Sequence, residues 1–205
     1  MSGLQVQWLG RVNYPDALAL QEKLVAEHDA NMLLLLEHEP IYTIGRTPDQ
    51  SSLRTGLLSH PVIQTNRGGQ ATYHGPGQLV GYPIIDLNEL RRDLHHYLRT
   101  LEELLIEILA IYEVHAQRRE GLTGVWVEDR KIASIGVGVR KWISMHGFAL
   151  NVSRDLSGFA AITPCGIAGV TMTSLSIELG RNVTVKEFAD VTGIYFAAEL
   201  LRRLK

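Results

Sequence analysis

Strand-like runs in this chain are bunched together and do not alternate regularly with helices. That pattern favours an α/β (α+β) chain, a mixed β-sheet with helices packed against it, over a doubly wound parallel sheet. Leu4–Val12 alternates apolar and polar residues as a half-buried strand does. Pro15 then opens a helical stretch from Asp16 to about Asp29, at a place where its missing N–H costs nothing. Met32–Leu36 reads as a buried strand, and Ile41–Ile44 as a short one running into Gly45. Pro, Asp, Ser and Gly dominate from Arg46 to Pro61, which predicts a mobile surface loop. Val62–Thr65 and Leu79–Leu87 are strand-like on either side of a glycine-rich segment.

Apolar residues from Leu94 to Leu109 recur at the spacing of an amphipathic helix, expected over Asp93 to about Ile111. The run Arg118-Arg119-Glu120 reads as a solvated turn. Val125–Val127 and Lys131–Val139 fit a hairpin around Glu128-Asp129-Arg130, and Trp142–Val152 predicts the next strand. A final helix is expected from Thr184 to Leu204, with Thr184 as N-cap and Glu187 three residues on. Without linkers or repeats, 205 residues suit a single domain spanning 1–205.

A formal net charge of -2 supplies no basic excess for a phosphate backbone, so nucleic acid is not expected as a partner. The first eleven residues lack the basic-then-apolar layout of a secretion signal, and the apolar runs are too short to cross a bilayer. One cysteine cannot form an internal disulfide. A cytoplasmic protein with no membrane partner is the expectation. No metal is expected either, because the single Cys and the adjacent His95-His96 make a poor ligand set. A Ser-His-Asp hydrolase would lack its Gly-x-Ser-x-Gly elbow.

Two segments concentrate the chemistry. Cys165 sits between Pro164 and Gly166, turn formers that argue for a loop rather than a packed layer. A thiol of ordinary pKa, roughly 8.5, is only a few per cent ionised near neutrality, so a nucleophilic Cys165 needs a cation or base beside it. Lys131, His74 and His146 are the candidates, although a lysine that opens a strand is ordinarily solvated. The second segment, Arg67 to Gln78, crowds glycines among Arg67, Gln70, Thr72, Tyr73, His74 and Gln78. It matches neither Gly-Lys-Ser/Thr nor Gly-x-Gly-x-x-Gly phosphate motifs, and its density of polar groups suits a binding loop.

Arg67-Gly-Gly-Gln-Ala-Thr-Tyr-His-Gly-Pro-Gly-Gln-Leu-Val-Gly-Tyr-Pro83 resembles the signature of lipoyl(octanoyl) transferases. Gly124-Val-Trp-Val127, Arg130-Lys-Ile-Ala-Ser-Ile-Gly136, His146-Gly-Phe-Ala-Leu-Asn151 and Thr163-Pro-Cys-Gly-Ile167 extend the likeness in order over nearly the whole chain. The resemblance implies the fold shared by biotin and lipoate protein ligases. It implies Cys165 as the thioester nucleophile, with Lys131 as the partner that lowers the thiol pKa and shuttles protons. Arg67, Gly68, Gly69, Gln70, Ala71, Thr72, Tyr73 and His74, with Ser134, Ile135, Gly136, Gly147, Phe148 and Ala149, would line the acyl site.

The implied reaction moves octanoyl from octanoyl-acyl carrier protein to a lysine of lipoyl domains, with no cofactor. The implied acceptors are the E2 subunits of 2-oxoacid dehydrogenases and the glycine cleavage H protein. Three alternatives stay open on the residues alone. They are an ATP-dependent lipoate or biotin ligase, a non-catalytic acyl-binding protein and a cysteine hydrolase.

Overall fold

The computed structural model describes residues 3–27, 30–47, 51–53, 58–166 and 169–205, with the side chain of Cys165 outside the described atoms. In chain order the elements are β1 (Gln5–Val12), α1 (Tyr14–Glu27), β2 (Met32–His38), β3 (Ile41–Ile44), β4 (Val62–Gln64), β5 (Thr72–His74) and β6 (Gln78–Ile84). Then come α2 (Leu94–Ile111), β7 (Gln117–Arg119), β8 (Leu122–Val127), β9 (Arg130–Arg140), β10 (Ile143–Asn151), β11 (Thr171–Met172), α3 (Leu175–Glu178) and α4 (Val185–Arg203). Short 3-10 turns lie at Ser157–Ala161 and Pro164–Gly166.

The main sheet runs β1-β2-β6-β10-β9-β8-β7, with β11 added beside β9. β1 and β2 are parallel and joined through α1, as a crossover connection requires; β2, β6, β10, β9, β8 and β7 follow antiparallel. A smaller sheet orders β4-β3-β5. The mixed sheet with packed helices is therefore present.

Period-two geometry explains the layering. On β2, Leu33 and Leu35 join the large core under α2 and α4, while Leu34 and Leu36 join a second cluster with Ala17 of α1. All four are essentially inaccessible. Each contributes roughly 1.5–3 kcal/mol of transfer free energy, so β2 anchors both faces of the sheet. α2 turns Tyr97, Leu101, Leu104, Leu105 and Ile108 inward, and the Asp93 carboxylate caps it by accepting from the His96 N–H at 2.9 Å. α4 begins with the expected capping box between Thr184 and Glu187.

β1 is an edge strand and half-buried as expected: Trp8, Leu9 and Val12 pack against the cores while Gln5, Val6, Gln7 and Arg11 are exposed. Other expectations change. The glycine-rich segment is not wholly loop: Thr72–His74 pairs antiparallel with β3. Arg118 and Arg119 are not a turn but part of edge strand β7, where the Arg119 guanidinium lies 4.9 Å from the Trp126 ring centroid. Cation–π contact and the tolerance of edge strands for charge account for that placement. In the stretch expected to be a surface loop, residues 48–50 and 54–57 lie outside the described residues, as does Asp29 at the expected end of α1. Ser52, in the described part of that stretch, is buried.

Candidate active site

On the α1 side of the sheet, small residues of two adjacent strands leave a gap. Ser134 pairs with Ala149 and Gly136 with Gly147 across β9 and β10, so four short or absent side chains meet in one patch. The loop ahead of β5 roofs it. The Gly68 N–H donates to Val137 O at 2.9 Å, strapping that loop onto β9. A Cβ on Gly136 would stand 3.1 Å from Gly68 O and 3.2 Å from Arg67 Cδ, so glycine there sets how closely the roof descends. Between floor and roof lies a narrow cavity of about 50 Å³.

Its walls include Arg67, Gly68, Gly69, Gln70, Thr72, His74, Ser134, Ile135, Gly136, Gly147, Phe148 and Ala149. Ala71 and Tyr73 turn away: Ala71 is buried with Tyr42 and Ile162, and the Tyr73 ring meets Phe159 edge-on at 5.6 Å. This follows from β5 being a strand, whose alternate side chains point to opposite faces. Tyr14, Tyr82 and His146 complete the lining and were not singled out as lining residues from sequence. Tyr14 opens α1 and Tyr82 lies on β6, so only the packing of these elements brings them to the cavity.

The inner wall is a buried polar layer. Arg67 donates to Thr43 O at 2.8 Å, to Thr43 Oγ1 at 2.9 Å and to Gly68 O at 2.9 Å, which fixes the guanidinium. His74 Nδ1 pairs with Gln78 Oε1 at 2.8 Å, and Gln78 Nε2 donates to Asn151 Oδ1 at 2.9 Å. His38 bridges Val12 O and the Tyr82 hydroxyl. His146 bonds Asn66, and its backbone holds φ +58, a strained conformation for a non-glycine strand residue.

Burial makes each of these histidines a poor base: it pushes His74 down to about 3, with His38 adding repulsion, and His38 to about 4. His146 falls to about 4, through burial first and the Arg67 charge second. Near neutrality all three are uncharged. His74 and His146 therefore carry no positive charge with which to stabilise a thiolate.

Cys165 occupies the 3-10 turn Pro164–Gly166, closed by the Gly166 N–H donating to Thr163 O at 2.9 Å. Ser52 fastens this turn to the cavity roof. Its carbonyl accepts from the Thr163 N–H at 2.7 Å, and its hydroxyl accepts from the Ala71 N–H at 3.2 Å. Gly166 has φ +69, and a Cβ there would collide with the Gln70 amide. Gln70, a wall residue of the cavity, thus abuts the residue that follows Cys165. The position of Sγ, and Ile167 of the expected motif, lie outside the described atoms.

Lys131 is buried, with 1% of its surface exposed, against the ordinary expectation for a lysine at a strand's start. Its Nζ donates to Thr123 O at 2.9 Å and lies 5.2 Å from the Trp126 ring centroid. It does not line the cavity. It stands three residues before Ser134 on β9, roughly 10 Å along the strand. β11, entered five residues after Gly166, pairs in parallel with β9 so that Met172 lies beside Lys131, and the Thr173 N–H donates to Lys131 O at 3.0 Å. The strand that follows the Cys165 turn in the chain therefore lies beside the strand that carries Lys131.

Comparison with known proteins gives the family and the fold. Residues 13–197 match the family described as the lipoyl protein ligase A/B catalytic domain. The chain is similar to an octanoyltransferase of Geotalea uraniireducens, 50% identical over 192 residues that cover 92% of this chain and 89% of that one. In fold it is similar to a bi-partite lipoate protein ligase from Thermoplasma acidophilum. That match has a TM-score of 0.74 at 17% identity and covers 96% of this chain and 83% of the other. It is also similar to a biotin protein ligase from Aquifex aeolicus, with TM-score 0.62 at 17% identity over 98% of this chain and 72% of that one. Among the described residues no helix is long and apolar enough to cross a membrane.

Proposed function

The chain belongs to the lipoyl protein ligase A/B catalytic domain family and is an acyltransferase that moves octanoyl groups in protein lipoylation; from that premise we propose a covalent route in which Cys165 carries the acyl group as a thioester. The donor is an octanoyl thioester on acyl carrier protein, and the acceptor is a lysine of a lipoyl domain. Acceptors would include E2 subunits of 2-oxoacid dehydrogenases and the glycine cleavage H protein, in the cytoplasm.

In the first step the Cys165 thiolate attacks the donor carbonyl. A new C–S bond forms, the donor's C–S bond breaks, and the carrier thiolate leaves and takes a proton from the Lys131 ammonium. One thioester replaces another, so this step is close to balanced. In the second step the acceptor's neutral amine attacks the Cys165 thioester, the amide C–N bond forms, and Cys165 leaves as thiolate. The surplus amine proton passes to the Lys131 amine left neutral by the first step, which restores the starting ammonium. Amide formation is downhill, and no nucleotide is consumed.

The residues divide the work. Lys131 stabilises the thiolate and handles the proton, because the uncharged His74 and His146 do not compete for the first of these roles. Ser134, Gly136, Gly147 and Ala149 form the floor for the acyl chain, which gains about 0.8 kcal/mol per buried methylene as it widens the narrow cavity. Gln70 and Ser52 hold the turn against the roof. The observation that carries the reading is the contact of Gln70 with Gly166, which sets the cavity against the backbone beside Cys165.

Intact-protein mass spectrometry after mixing with octanoyl-carrier protein tests it. A hydroxylamine-sensitive octanoyl gain in the wild type, absent from Cys165→Ala and discharged by lipoyl domain, is the expected result. Transfer that persists in Cys165→Ala without ATP overturns the covalent route; transfer that appears only with ATP and magnesium indicates adenylate chemistry instead.

A further inference from the structure

Lys131 is buried in a polar cradle that the proposed reaction uses but does not explain. The cradle begins on α2. Glu102 is fully buried in the middle of that helix, an unusual place for a carboxylate unless it is paired. One oxygen pairs with Arg99 at 2.6 Å, one turn earlier; the other accepts from the Gly124 N–H on β8 at 2.9 Å.

Gly124 is where β8 departs from regular pairing. Its φ is +126, and the register with β9 shifts between Val125 and Trp126. A side chain there would stand 2.6 Å from Ala133 O and 2.7 Å from Lys131 Cε. The irregularity has a local consequence. The residue before Gly124 presents its carbonyl to Lys131 Nζ, and the residue two after it presents its ring. Two groups that receive the Lys131 head are thus set by a backbone conformation whose N–H is held by Glu102.

We propose that Glu102 is a positioning residue for Lys131: its carboxylate, held by Arg99, clamps the Gly124 N–H and thereby aims Thr123 O and the Trp126 ring at the Lys131 ammonium. Without the clamp β8 relaxes towards regular pairing, the carbonyl and ring move, and the lysine head loses its fixed place. The inference rests on the reading of Lys131 as the group that stabilises the Cys165 thiolate. Other charged groups of this neighbourhood, among the described residues, include Arg119 on β7, over the Trp126 ring and paired with Asp129 at 3.2 Å, and Arg130 beside Lys131, which pairs with Glu178 of α3 at 3.1 Å and with Glu128 of the hairpin turn at 2.7 Å. These pairings do not include Glu102.

The chain has one cysteine, so the pH dependence of its alkylation by iodoacetamide reports on Cys165 alone. Lys131→Met tests the parent reading, and Glu102→Met, close in volume to the native residue, tests this one. The expected result is a higher alkylation midpoint in both. In Glu102→Met the rate at a fixed pH below the midpoint falls about tenfold for every pH unit by which that midpoint rises. Its kcat for octanoyl transfer drops on the order of 10- to 100-fold, the size of effect a misplacement of about 1 Å produces, with KM for the donor nearly unchanged.

Glu102→Gln, which keeps an oxygen for the Gly124 N–H, restores most of both quantities. Gly124→Ala, whose methyl would press on Lys131 Cε directly, is the control for a displaced lysine head, and a raised midpoint is expected there too. If Lys131→Met raises the midpoint while Glu102→Met leaves it in place, with only thermal stability lowered, Glu102 is merely structural and the proposal is overturned. If Lys131→Met itself leaves the midpoint unmoved, the parent reading has failed and this one fails with it.

Discussion

Strand β9 holds two stretches, three residues apart, that solve opposite problems. At Lys131 a long cationic side chain is enclosed, and fixed acceptors surround its head: a carbonyl from β8 and the Trp126 ring. At Ser134–Gly136 side chains are short or missing, and the space they leave becomes the cavity floor beneath the Arg67–Thr72 loop. One stretch works by what it places, the other by what it omits. A buried charge needs partners within a few tenths of an ångström, whereas a binding gap needs only that nothing intrude. The first should therefore fail sharply on substitution and the second by degrees.

Lys131→Met should give the largest effect. Octanoyl transfer should fall by roughly 10²- to 10⁴-fold, the usual range for loss of a positioned acid–base group. Leaving Thr123 O without its donor should also cost about 1–3 kcal/mol in a urea titration. Transfer at the wild-type rate would erase the contrast, because the enclosed lysine would then be packing only.

Gly136→Ala should act more gently. The added methyl must push Gly68 O and Arg67 Cδ aside by a few tenths of an ångström, an overpacking cost of roughly 1–3 kcal/mol. Because the strapped loop gives way, the cost should appear as a raised KM for the octanoyl donor and a smaller change in kcat. A fall in kcat as deep as that of Lys131→Met would show that the floor also sets reactive geometry.

The smallest effect on transfer itself belongs to the polar wall behind the floor, which acts on stability. His38, His74 and His146 have folded values of about 4, 3 and 4, below the unfolded value near 6.5. Between these limits the unfolded chain binds more protons, so the stabilisation is complete above about pH 6.5 and is lost as pH falls towards the folded values. The slope approaches about 1.4 kcal/mol per pH unit for each histidine. Urea midpoints measured from pH 7 down to 5 should decline accordingly, and His38→Gln should flatten the curve. An unchanged slope would mean that the wall admits protons without opening.

Much of the molecule was legible before folding. The apolar run of β2, the stripe of α2, the Thr184–Glu187 box and the β9 hairpin are signalled by residues a few positions apart, which is the range over which backbone geometry acts. The crowding of polar residues from Arg67 to Gln78 falls where the structure puts the cavity roof. Three features of the site had no such local signal. Ser52 lies in a stretch that reads as surface loop, yet it ties the turn of Cys165 to the roof. Tyr14 and Tyr82 look like ordinary core aromatics. Glu102 looks like one more acid in Glu102-Glu103, and only its hydrogen bond to β8 separates it from its half-exposed neighbour.

What the sequence determined by itself was therefore most of the longer elements, the mixed architecture and the family resemblance, all carried by short periodic or contiguous patterns. The tertiary structure decided which lysine is enclosed, which histidines lose their charge and which segments meet beside Cys165. Enclosure depends on atoms brought from distant parts of the chain. The cost of removing a charge from water is set by all of them together, so no window of sequence contains it.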